Sequence, residues 1–168
     1  MLESRLRLKR SIKFNSNNSG FTLLEISLVV VLLGIALGIA IPSLQKPYAR
    51  YQLQVTARQL VSDIRYLEQT AQSMESNNYK ITFDYTNDCY YLQENTVTLP
   101  NGYKKLPGSV DMNPTTFLPD HILNIKQAGT VVNGGHVYFH SRNGAGDLYV
   151  IVYQHTGRVR ISDQPPQP

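Results

Sequence analysis

The sequence predicts an α+β chain in which one long N-terminal helix, apolar first and amphipathic after, carries a small β-rich head. Three observations lead there. Residues 21–41 (FTLLEISLVVVLLGIALGIAI) hold a single charge, Glu25. Beyond Pro47 the apolar residues recur every three or four positions, and after Asn78 they recur every second one. Those are the periods of a helix with one buried face and of a half-buried strand.

Residues 1–20 (MLESRLRLKRSIKFNSNNSG) are basic, then polar. The chain of 168 residues has a net charge of +4, which first suggests a polyanionic partner. The location of the charges removes that suggestion. Arg5, Arg7, Lys9, Arg10 and Lys13 stand against Glu3 alone, so the first twenty residues carry the whole excess. Eleven cations and eleven acids remain beyond them and cancel. The cations are a topology signal instead: they hold the N-terminus in the cytoplasm while residues 21–42 span the cytoplasmic (inner) membrane once, leaving the rest extracytoplasmic. A run of about twenty apolar residues makes a helix about 30 Å long, the thickness of a bilayer's hydrocarbon core.

Pro42 ends the apolar run but not the helix, which continues over residues 43–78. Leu53, Ala57, Leu60, Ile64, Leu67, Ala71 and Met74 form its buried stripe. Gln54, Arg58, Asp63, Arg65, Glu68 and Gln72 form its wet side, and Ser76-Asn77-Asn78 is the stop. The head spans residues 79–162. Tyr79, Ile81, Phe83 and Tyr85 alternate with polar residues in a first strand, Thr86-Asn87-Asp88 turns, and Cys89–Glu94 returns. Residues 96–99 make a short strand before a Pro100-Asn101-Gly102 turn, and residues 104–119, with three prolines, read as loop. Further strands are expected over 136–140, 147–153 and 158–162, with turns at 143–146 and 155–157. The polar, proline-rich tail 163–168 is expected to be disordered.

Glu25 asks for an explanation. A carboxylate in a membrane helix costs about 2.5–3.5 kcal/mol at mid-membrane, and no Lys or Arg follows until Lys46. Cleavage after Gly20 would create a cation, the α-amine of Phe21, too close along its own helix to be the mate of Glu25. In a neighbouring copy shifted along a common axis the two would meet, so this acid implies assembly between subunits. The segment Ser19-Gly20-Phe21-Thr22-Leu23-Leu24-Glu25, ahead of an apolar run, resembles the class III leader and N-terminal helix of type IV pilins and pseudopilins. The resemblance implies cleavage between Gly20 and Phe21 by a prepilin peptidase and N-methylation of Phe21. It also places the family's assembly positions on Glu25, Gly34 and Pro42. Two other readings compete: a secretory signal with Gly38-Ile39-Ala40 as its cleavage site, and a generic single-span anchor. The pair Gly34 and Gly38 fits either helix packing or local unwinding during assembly.

Within the head, RQLVSDIRYLEQTAQ, HVYFHSRNGAG and DLYVIVYQHTGRVRIS resemble the GspH/FimT type of minor pseudopilin. That resemblance completes the fold class: a long transmembrane and amphipathic helix packed on a small antiparallel β-sandwich-like head. It implies a non-catalytic subunit that assembles into or primes a type II secretion pseudopilus or type IV pilus. Its partners would be other major and minor pilins, an inner-membrane assembly platform and the lipid bilayer. With one cysteine the chain cannot close the C-terminal disulfide loop usual in major pilins. It keeps the glutamate that tip-most pseudopilins lack. Both points favour a minor subunit below the tip.

No nucleophile elbow, P-loop, zinc-protease or C-x-x-C motif is present, so no catalytic residue and no cofactor is assigned. Cys89 is expected to be a small buried apolar residue. His136 and His140 share one face of a strand without a third metal ligand nearby, and Asp84, Asp88 and Glu94 read as solvated turn charges. One site stays open. Arg158 and Arg160 point to the same face of a strand, and Arg142 on the preceding turn could add a third cation. The arrangement suits phosphates, and DNA-uptake members of the FimT type have a similar basic GRxR stretch. The competing reading is an edge strand whose cations discourage pairing, and the zero net charge beyond residue 20 favours it over a nucleic-acid partner.

Overall fold

The computed structural model describes residues 21–166. Residues 1–20, expected to be a leader ending at Gly20, and the last two residues of the expected disordered tail lie outside them. The chain divides into two units, one ending at Ala40 and one beginning at Ile41.

Helix α1 (Leu23–Ser73) runs through both Pro42 and Pro47. In the second unit its stripe is buried as the periodicity requires: Leu53, Ala57, Leu60, Ile64, Leu67 and Ala71 are all fully inaccessible. Each buried leucine or isoleucine contributes about 1.5–3 kcal/mol, so tertiary burial more than propensity holds this stretch helical. The helix stops earlier than the sequence indicates. Ser76 N–H bonds the Ala71 carbonyl, Glu75 N–H bonds that of Gln72, and Glu75 takes φ 48°. This is a Schellman closure built on a non-glycine residue, which no glycine in the sequence announces. Met74, expected on the stripe, falls in the turn and is 67% exposed.

The head holds eight strands in two antiparallel sheets: β1 (Tyr79–Asp84), β2 (Cys89–Glu94), β3 (Val97–Lys105), β4 (Val110–Met112), β5 (Ile122–Ile125), β6 (Gly135–Ser141), β7 (Asp147–Val152) and β8 (Val159–Ser162). The first sheet runs β3-β2-β1-β5 and the second β4-β6-β7-β8. Their inner faces, including Ile81, Phe83, Leu123, Val137, Phe139 and Val150, join the helix stripe in one hydrophobic core. The α+β reading of a long helix followed by two antiparallel sheets therefore holds.

Several local readings change. Pro100-Asn101-Gly102 is not a turn between strands but an interruption inside β3, where the register shifts between Tyr91 and Gln93. Asn101 has φ 57°, and a Cβ at Gly102 would lie 2.6 Å from the Leu92 carbonyl oxygen, so only glycine allows the approach. The stretch read as loop contains β4, which pairs with β6 through Val110↔Ser141 and Met112↔Phe139. Strand β5, four residues long between the proline-containing stretch 113–121 and the polar turn 126–130, carries too little periodicity to be seen in advance. Asp63, placed on the wet side, is buried: Tyr90 O–H donates to its Oδ2 at 2.7 Å and Gln59 Nε2 to its Oδ1 at 3.0 Å. The partner on β2 decides its burial, and helical position alone does not show it.

Candidate functional site

Residues 21–41 are exposed along their whole length, and Leu23–Ile41 is long and apolar enough to cross a membrane. Phe21 is 79% and Leu23 90% exposed, surface that water would not tolerate uncovered. The helix start is set by Thr22, whose Oγ1 accepts from Glu25 N–H at 3.2 Å. Thr22-x-x-Glu25 is a capping-box spacing, a signal present in the sequence beside the pilin motif. Only the threonine half of that box is formed. Among the described residues the Glu25 carboxylate makes no hydrogen bond and no ion pair, so it stays open to a group from elsewhere.

Gly34 and Gly38 lie farther along the same exposed stretch. A Cβ at either would meet nothing within 4 Å. Among the described residues no side chain stands over the pair, so its small surface can receive another helix. Pro42 sits inside α1.

The three arginines do not form one cluster. Arg142 is engaged by the carboxylates of Asp88 and Asp111, the latter at 3.1 Å, and donates to the Gly108 carbonyl at 3.3 Å. The two carboxylates raise its pKa further, led by the hydrogen bond to Asp111. Asp88, read as a solvated turn charge, also accepts from Met112 N–H at 2.9 Å. Together these groups pin the β1–β2 turn to β4, so Arg142 has a structural task. It also follows the β6 terminus that pairs with Val110, whereas Arg158 precedes β8 at the opposite end of the β6–β7 hairpin. Arg158 and Arg160 do remain together, exposed and without a salt bridge among the described residues.

The remaining candidates are each engaged by neighbouring groups of the head. Cys89 is buried, its Sγ 3.6 Å from the Tyr91 hydroxyl. His136 Nδ1 lies 3.2 Å from Thr116 Oγ1 and His140 Nδ1 2.6 Å from Asp147, so the two imidazoles serve different partners. Asp84 caps its turn through Thr86 N–H and Asn87 N–H. No group of three or more potential metal ligands occurs among the described residues.

Comparison with known proteins converges on the N-terminal segment and the fold. Residues 15–41 match the family described as the prokaryotic N-terminal methylation motif. No curated protein sequence matches the chain. The head has the fold of the minor pseudopilin EpsH from the Type 2 Secretion System of Vibrio cholerae, with a TM-score of 0.52 and 11% sequence identity, over 66% of this chain and 96% of that one. Type IV pilins and pseudopilins are structural subunits, not enzymes. The chain thus joins a segment similar to the prokaryotic N-terminal methylation motif, laid over an exposed apolar helix long enough to cross a membrane, to a fold similar to that of a minor pseudopilin.

Proposed function

We propose that the chain is cut by a prepilin peptidase between Gly20 and Phe21, methylated on Phe21, and assembled as a minor subunit of a type II secretion pseudopilus or type IV pilus, below its tip. The observation that carries this reading is Glu25: an acid near the start of a wholly exposed apolar helix, within the matched motif, with no partner among the described residues. A carboxylate so placed gains stability only when a neighbouring subunit brings its cation, and the α-amine of a processed Phe21 is of the right charge. In this arrangement the helix lies in the cytoplasmic membrane with the head outside it. Other pilins and an inner-membrane assembly platform are the partners, with Gly34 and Pro42 in the shared helix layer. Intact-mass measurement of the protein extracted from membranes tests the proposal. A mature chain beginning at methylated Phe21 is expected; an uncut chain or a start at Ile41 overturns it.

DNA capture is the second reading, and it now stands on Arg158 and Arg160 without Arg142. The two exposed arginines favour it, while the balanced charge beyond residue 20 opposes it.

A further inference from the structure

Strand β8 is an outer strand of its sheet, with β7 on one side and no strand on the other. Its side chains alternate: Arg158 and Arg160 border the outer face beside Tyr153, and Ile161 borders α1. The main chain alternates as well. Tyr153 N–H bonds the Arg158 carbonyl at 2.9 Å, and the register continues Val152↔Val159, Ile151↔Arg160, Val150↔Ile161. In an antiparallel pair the bonded positions come every second residue, so Arg160 and Ser162 face β7 with their N–H and C=O. Those of Val159 and Ile161 are left pointing to the open edge.

Beside that edge lies a groove of about 430 Å³ between Ile161 and one face of α1, with Val61 and Tyr66 as apolar walls and Arg58 and Arg65 in its lining. Ile161 is 36% and Tyr66 55% exposed. Arg58 and Arg65 are two turns apart on the helix and make no salt bridge among the described residues. The acids nearby are otherwise placed. Asp163 pairs with Arg50 at 3.2 Å, and the Oε1 of Glu68 is buried near Gly157. The open ladder edge is thus flanked on its helix side by Arg58 and Arg65, neither of them in an ion pair among the described residues although Arg65 lies in the field of Glu68, and on its outer side by Arg158 and Arg160.

We infer that the β8 edge and the α1–β8 groove form a docking site for an extended acidic segment of another protein, added to the sheet as a further strand. The exposed N–H and C=O groups of Val159 and Ile161 supply the ladder bonds, the groove accepts an apolar side chain, and the four arginines meet carboxylates on both faces. The same cations repel a second copy of this edge, which is how a sheet edge excludes self-pairing while admitting a partner of opposite charge. A polynucleotide would use the arginines but neither the ladder edge nor the apolar groove.

The test uses the full-length chain in neutral detergent and four peptide probes: the peptide Ac-Glu-Val-Glu-Val-Glu-Val-NH2, its counterpart with Lys for Glu, and the Glu peptide N-methylated at alternate amides in each of the two possible phases. The Glu peptide is expected to bind and to slow amide exchange at Val159 and Ile161. The Lys peptide is expected not to bind. One of the two possible N-methylation phases should abolish binding, because it removes the donors facing the edge. The paired changes Arg58→Gln with Arg65→Gln, and Arg158→Gln with Arg160→Gln, should each weaken binding about fivefold. Equal binding of the Lys peptide, or of both N-methylated phases, overturns the inference. So does displacement of the bound peptide by oligo-dT with loss of both on Arg158→Gln and Arg160→Gln, which would make the face a nucleic-acid site. No binding of the Glu peptide at about 1 mM, the weakest affinity worth about 4 kcal/mol, also overturns it.

Discussion

Replacing Glu68 with Gln should stabilise the head at neutral and alkaline pH and leave it unchanged in acid. Glu68 lies on α1 against the turn before β8. Its Oε1 is buried without a hydrogen-bond partner, and a Cβ built on Gly157 would lie only 2.8 Å from it. Burial raises the carboxyl pKa from 4.5 to about 7, opposed in part by Arg65. Below about pH 4.5 both folded and unfolded chains hold the proton, and there is no penalty. Between 4.5 and about 7 the unfolded chain releases it first, so stability falls as pH rises, and above 7 the penalty is constant. At about 1.36 kcal/mol per pKa unit the full penalty would be about 3.4 kcal/mol. The carboxyl is only half-buried, and solvent screening reduces this to about 1.5–2 kcal/mol. Urea unfolding of the head fragment, residues 47–168, at about pH 4.5 and pH 8 measures the difference between Glu68→Gln and wild type. The comparison cancels contributions common to both proteins, including that of His136, whose pKa burial lowers and which acts in the opposite sense. An equal difference at both pH values, or a variant less stable than wild type at pH 8, refutes the reasoning.

Glu25→Ala should insert into membranes at least as well as wild type, since it removes a carboxylate from the apolar helix, while recruitment into filaments falls about tenfold for loss of a charge-assisted contact. Co-purification with other pilins measures it, and wild-type recovery contradicts the assigned role. Tyr90→Phe should destabilise the head by about 1.5–3 kcal/mol, because the buried Asp63 carboxylate keeps only Gln59; an unfolding curve superimposable on wild type would show that the bond contributes nothing. The head is expected to show no gel shift with DNA at moderate salt. A steep, salt-sensitive shift that Arg158→Gln with Arg160→Gln removes would instead support the capture reading.

The sequence by itself determined the elements whose signal is local. The apolar run, the helical stripe from Leu53 to Ala71, the β1–β2 hairpin and the strands β6, β7 and β8 are each written as a period in the chain, and the core buries the residues that the stripe and the strands β1, β2, β6 and β7 select, while the apolar run stays exposed. The segment 15–41 that matches the methylation motif was legible for the same reason, being one short contiguous stretch. What tertiary structure alone decided depends on groups far apart in sequence. Asp63 is buried because Tyr90, on a strand, offers it a hydroxyl. Arg142 is withdrawn from Arg158 and Arg160 because Asp88 and Asp111, from two other elements, hold it. The β8 groove exists only because α1 passes beside an open sheet edge, bringing Arg58 and Arg65 to Ile161 across about a hundred residues of chain. Periodicity reports which face of an element is buried; it does not report what that face meets, and charge compensation is settled only by what it meets.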